Sequence, residues 1–107
     1  MPRSIAGLMP TLTGLALALV LAPAHAIDGE EVYRSDSMPL CMGCHDPGAA
    51  GAPRPGHADD WEGRLGRGVD GMTQSVLDGM GAMPGYAGRM SEEEARAAVE
   101  YMIEGLD

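Results

Sequence analysis

The sequence predicts a small all-α domain, about four short helices wrapped round one centre that the polypeptide does not itself supply. Three observations carry this expectation. Apolar residues recur at helical spacing in several stretches, and nowhere does a run alternate apolar and polar residues as a half-buried strand does. Sixteen Gly and eight Pro in 107 residues cut the chain into short segments. The aromatic content is only Tyr33, Trp61, Tyr86 and Tyr101, with no Phe. So small a chain buries little apolar area per residue and ordinarily needs a staple.

Cys41-Met42-Gly43-Cys44-His45 points to the staple. C-x-x-C-H is the pattern of covalent c-type haem attachment. Two thiols add across two vinyl groups to give thioethers, and two intervening residues let both sulfurs reach one porphyrin edge. His45 follows the second thiol directly, so its imidazole is placed to be the proximal iron ligand. A Cys41–Cys44 disulfide would close a very small loop and restrain little. A haem-free dithiol or zinc protein is the competing reading, but structural zinc takes four Cys or His ligands and few others are present.

Residues 1–26 read as a cleavable signal peptide, leaving 27–107 as a monohaem domain. Arg3 supplies the positive start, Leu8 to Ala22 is almost wholly apolar, and Ala24-His25-Ala26 has the small-x-small cleavage pattern. The apolar run is short for a membrane span, which needs ~20 residues. An uncleaved anchor is the alternative. Export suits the haem motif, although an oxidising compartment also permits disulfides.

Beyond the leader, six Arg and no Lys stand against 16 acidic residues, a net charge of −10. Nucleic-acid binding is disfavoured, since it needs a basic footprint. The acidity serves solubility, or attraction to a basic docking patch on a redox partner.

Residues 28–36 read as the first helix. Asp28 caps it, Glu30 and Glu31 suit its positive end, and Gly29 and Tyr33 share a face at i, i+4. After the haem motif, residues 46–56 are loop chemistry rich in Gly and Pro. Pro53 lacks an N–H, but its carbonyl is free to accept from His45 Nδ1–H and so fix the imidazole. Residues 59–66 read as a short helix carrying Trp61 and Arg64, whose N–H groups are candidate donors to a haem propionate. His57 reads as a surface residue.

Residues 70–79 form the next helix, with Asp70 at its N-cap and Gly79 and Gly81 ending it. Met72, Val76 and Met80 make an apolar stripe at i, i+4, i+8, which is more often core than ligand. Met83 is the chosen distal iron ligand. It lies outside that stripe, on a Gly-rich loop stiffened by Pro84. Met80 is the competitor, and Met38, Met72 and Met90 are weaker candidates among nine methionines. Ser91 and Glu94 form a capping box that opens the last helix, whose stripe is Ala95, Ala98, Val99, Met102 and Leu106, with Gly105 as its stop. Ala98 and Tyr101 are expected to meet Gly29 and Tyr33 where the two terminal helices cross.

These residues together resemble the small class I cytochromes c, and among them the cytochrome c5-like group. The resemblance spans about residues 28–104. It rests on Gly29-x3-Tyr33, Cys41-x2-Cys44-His45, Gly51-Ala52-Pro53, Trp61-x2-Arg64, Gly79-x3-Met83-Pro84, and Ser91-x-Glu93-Glu94 leading to Ala98-Val99-x-Tyr101-Met102. It implies one covalent haem c joined through Cys41 and Cys44, held by His45 and Met83, with Pro53 supplying the carbonyl to His45. Two features depart from the pattern. Eight positions separate Tyr33 from Cys41, an insertion that includes Pro39, and no second cysteine pair follows Met83.

The implied function is a periplasmic one-electron carrier, not an enzyme, with His/Met axial ligation and redox proteins as partners. The alternative is a haem-based ligand-binding or sensing protein whose distal Met is displaceable.

Overall fold

The computed structural model describes residues 7, 14, 26–36 and 41–106. The leader expected over 1–26 lies outside the described residues apart from Gly7, Gly14 and Ala26, and so does Pro39 in the insertion before Cys41.

Five helices follow one another: α1 (Gly29–Arg34), α2 (Cys41–His45), α3 (Ala58–Trp61), α4 (Gly68–Asp78) and α5 (Glu92–Ile103). Two 3-10 turns, Ala49–Gly51 and Leu65–Arg67, lie between them. No strand occurs among the described residues, only isolated bridges. The all-α expectation of about four helices is met, with the haem motif itself supplying the fifth. That turn was not expected, because five residues including a glycine carry too little periodicity to announce a helix.

Helix ends follow the local chemistry. Asp28 Oδ1 accepts from the backbone N–H of Glu30 at 3.0 Å, capping α1 as expected. Ser91 Oγ accepts from Glu94 N at 3.1 Å and Glu94 Oε1 accepts from Ser91 N at 3.0 Å, so the capping box is complete. Asp70 departs from its expected role. α4 starts at Gly68, which places Asp70 within the first turn, and its carboxylate pairs with Arg96 of α5 at 2.6 Å. The expected helix over 59–66 is also divided: α3 stops at Trp61, and the chain turns through Gly63 into the second 3-10 turn.

α5 is the spine. α1 crosses it at Gly29, where a Cβ would lie 2.0 Å from the carbonyl oxygen of Ala97. Only a residue without a side chain permits that approach. The contact residue is therefore Ala97, one position before the expected Ala98, whose side chain is buried instead. Tyr33 and Tyr101 pack beside it with ring centroids 5.2 Å apart, tilted by 45°. Met72 and Val76 of α4 and Val99 and Met102 of α5 join the buried cluster with Trp61 and Tyr86. Val99 and Met102 are 2% and 3% exposed, and each such burial contributes roughly 1.5–3 kcal/mol. Met80 leaves the expected stripe and stands 48% exposed, because α4 has already ended at Asp78.

Candidate functional site

α2 presents Cys41 and His45 inward, both 8% exposed, while Cys44 is exposed at the rim. No disulfide joins Cys41 to Cys44. Burial pushes the Cys41 thiol up from its ordinary value. A reactive C-x-x-C redox pair needs a thiol pushed down, and the burial of Cys41 acts in the opposite direction.

His45 Nδ1 lies 2.7 Å from the carbonyl oxygen of Pro53. A carbonyl only accepts, so Nδ1 carries the proton and Nε2 is left as the basic nitrogen able to bind a metal. The expected Pro53 partnership is thus present in the geometry. Asp46, the next residue after His45, accepts a hydrogen bond from the Tyr33 hydroxyl. Burial and the Asp46 carboxylate both raise the Tyr33 phenol, which stays protonated. The α1–α5 crossing is in this way fastened to the end of the C-x-x-C-H turn.

The loop after α4 supplies further wall. Met80 and Met83 exchange both backbone hydrogen bonds at 3.0 Å, closing a tight hairpin over Gly81 and Ala82. The chain then folds back on α4: Tyr86 N donates to Val76 O and Ala87 N to Leu77 O, each at 3.0 Å. Gly85 makes this return possible, since a Cβ there would meet the Asp78 carbonyl at 2.7 Å.

Two adjoining hollows of about 280 and 260 Å³ lie between these walls. His45, Pro53, Arg64, Val76, Met80, Met83 and Met102 line both. Cys41 and Cys44 edge one, and Trp61 and Met72 line the other. Apart from His45, the charged or titratable residues on the walls are the two thiols, Tyr86, Arg64 and Arg67, with no carboxylate among the described residues. An apolar cleft edged by two thiols, with an imidazole whose Nε2 is available and a thioether among its lining residues, fits a covalently held haem in donor chemistry and in character.

The expected propionate donors are differently employed. Trp61 Nε1 donates to the Arg54 carbonyl at 2.9 Å, and the residue lines the cleft. Arg64 Nε donates to Asp60 O at 3.1 Å and Nη2 to Gly51 O at 3.2 Å. Helix α3 ends at Trp61, which leaves the Asp60 carbonyl open to Arg64. Both residues still line the cleft. His57 is exposed, as expected.

Two features were not legible from the residues. Arg67 Nη1 lies 3.6 Å from Met80 Sδ, engaging the sulfur of the competing ligand. Arg54 and Asp60 form an ion pair at 2.7 Å beside Pro53. Only the fold shows that Asp60 faces back to the loop. On the cleft's rim, Ala50 holds a φ of +52°, a left-handed conformation costing a non-glycine residue roughly 1–2 kcal/mol.

The family described as "Cytochrome C oxidase, cbb3-type, subunit III" matches residues 24–102. Cytochrome c-551 of Halorhodospira halochloris is 41% identical over 80 residues, covering 75% of this chain and 100% of the relative. Cytochrome c5 of Ectopseudomonas mendocina is 35% identical over 66 residues, covering 58% of this chain and 76% of the relative. A solved structure described as an electron transfer complex of nitrite reductase with cytochrome c is 40% identical, with a TM-score of 0.63, covering 74% of this chain and 94% of the matched chain.

Proposed function

This chain belongs to the class I cytochromes c, electron-transfer proteins with one covalent haem c, and from that premise we propose a periplasmic one-electron carrier with His45 and Met83 as axial iron ligands. Cys41 and Cys44 form the two thioethers. When bound, the haem supplies a one-electron ferric/ferrous couple. The protein residues hold that couple apart from water and keep its ligands fixed, so little rearranges as the electron comes and goes. Pro53, Trp61 and Arg64 complete the walls.

The observation that carries the reading is the pairing of His45 and Met83 on the walls of the same cleft, with the Met80 sulfur engaged by Arg67. With His45 and Met83 as its two protein ligands, the iron would keep no open site for a substrate. The protein is therefore a carrier rather than a catalyst. Export rests on the charged, apolar and small-residue pattern of residues 1–26.

The partner is a redox enzyme, the class represented by nitrite reductase in the structural relative's complex. Acidic groups gather away from the cleft: Asp28, Glu30, Glu100 and Glu104 surround the α1–α5 crossing. They steer a basic partner from a distance, while the contact at the cleft is largely uncharged. Electron-transfer rates with such a partner should fall as salt rises.

Carbon monoxide tests the carrier reading. The reduced protein should bind it negligibly, since Met83 holds the position. Rapid binding at neutral pH would favour the ligand-binding or sensing alternative.

A further inference from the structure

We infer that Asp60 is a positioning residue that tunes His45 through the peptide group joining Pro53 to Arg54. The inference rests on His45 being the proximal ligand. One peptide unit makes both contacts. Its carbonyl, Pro53 O, accepts from His45 Nδ1 at 2.7 Å. Its N–H, on Arg54, donates to Asp60 Oδ2 at 3.0 Å.

Amide resonance couples the two ends. A carboxylate accepting from the N–H increases the negative character of the carbonyl oxygen, as linked hydrogen bonds polarise one another. A stronger acceptor at Nδ1–H makes the imidazole a more basic ligand. A more basic ligand favours the higher charge on iron, and so the oxidised state. Asp60 therefore lowers the reduction potential although it does not itself line the cleft.

The Arg54 side chain opposes it. Nε lies 2.7 Å from Asp60 Oδ2 and Nη2 lies 3.2 Å from Oδ1, so the guanidinium draws charge away from the relay. Geometry is held from the other side as well. The Arg54 carbonyl accepts from Trp61 Nε1 at 2.9 Å and from His57 N at 3.2 Å. Arg54 is thus fixed at its N–H, its carbonyl and its side chain, and the peptide plane that meets His45 cannot swing freely.

The relay makes a prediction of sign that loosening does not. Asp60→Asn keeps an acceptor and removes the charge; Arg54→Met keeps the backbone N–H and removes the opposing guanidinium. In the haem-loaded protein, redox titration should show the midpoint potential shifted upward in Asp60→Asn and downward in Arg54→Met. Asp60→Glu, which retains the charge, should stay close to the parent. The His45 ring signals in the paramagnetic proton spectrum should move in opposite directions in the first two variants. Shifts of the same sign, or an Asp60→Asn variant with an unchanged potential, would overturn the relay. If Asp60→Asn does not assemble, the sign in Arg54→Met decides alone. Absence of iron–methionine ligation in the parent protein would instead count against the carrier reading, and leaves these signs to judge the relay separately.

Discussion

Met80 and Met83 face each other across a two-residue hairpin, each donating its N–H to the other's carbonyl at 3.0 Å. The hairpin makes their sulfurs unequal. Both line the cleft, but Met80 is 48% exposed and accepts from Arg67 Nη1 at 3.6 Å, whereas Met83 is half-buried. Met80→Leu should therefore leave the ferric iron–methionine charge-transfer band in place. Absorption spectroscopy of the oxidised variant checks this, and loss of the band would exchange the roles assigned to the two methionines.

The crossing of α1 and α5 has no room for a side chain at Gly29. A Cβ there would lie 2.0 Å from Ala97 O, and a backbone atom cannot step aside as a side chain does. Gly29→Ala should lower the stability of the haem-loaded protein by about 1–3 kcal/mol, the usual cost of overpacking, despite alanine's better helix propensity. Denaturant unfolding measures it.

Asp60 predicts an acid-sensitive component of stability. Hydrogen bonds from the Arg54 side chain and backbone lower its carboxyl from 3.8 to about 2. A lowered folded-state value means the unfolded chain takes up the proton first. The contribution is fully present above about pH 4 and is lost as the pH falls through about 2. Asp60→Asn should flatten the fall in stability across that window, as unfolding at stepped pH would show.

Thr73 is 2% exposed and its hydroxyl has no hydrogen-bond partner among the described residues. Burying an unpaired hydroxyl is costly, and Thr73→Val removes it at nearly constant volume. The variant should be more stable by about 1 kcal/mol. Thr73→Ser keeps the hydroxyl and loses the methyl, and should be less stable than the parent. Thermal unfolding of the pair separates the two effects.

How much the sequence disclosed depended on whether the cause was local. Asp28, Ser91 and Glu94 act within three residues of themselves, and their caps stand as the pattern implies. The Gly29 and Tyr33 face was legible because i, i+4 spacing fixes a side of a helix, but its facing residue shifted from Ala98 to Ala97, since crossing geometry is set by packing. Pro53 was legible from the need of His45 for an acceptor. The protein partners of Trp61, Arg64 and Asp70 were not legible for a shared reason. Each finds its partner across a loop or on another helix, at Arg54 O, Gly51 O and Arg96, and no periodicity encodes that. Arg67 and the Arg54–Asp60 pair were missed because charged residues in Gly-rich segments read as solvated until the fold closes them.

The most direct test of the central claim is the far-red charge-transfer band of ferric iron–methionine ligation, recorded for the parent protein and for Met83→Ala. Ligation by His45 and Met83 predicts the band in the parent and its loss in the variant, accompanied by ready binding of carbon monoxide when the variant is reduced. A parent protein without the band, or a Met83→Ala variant that retains it, would contradict the assignment.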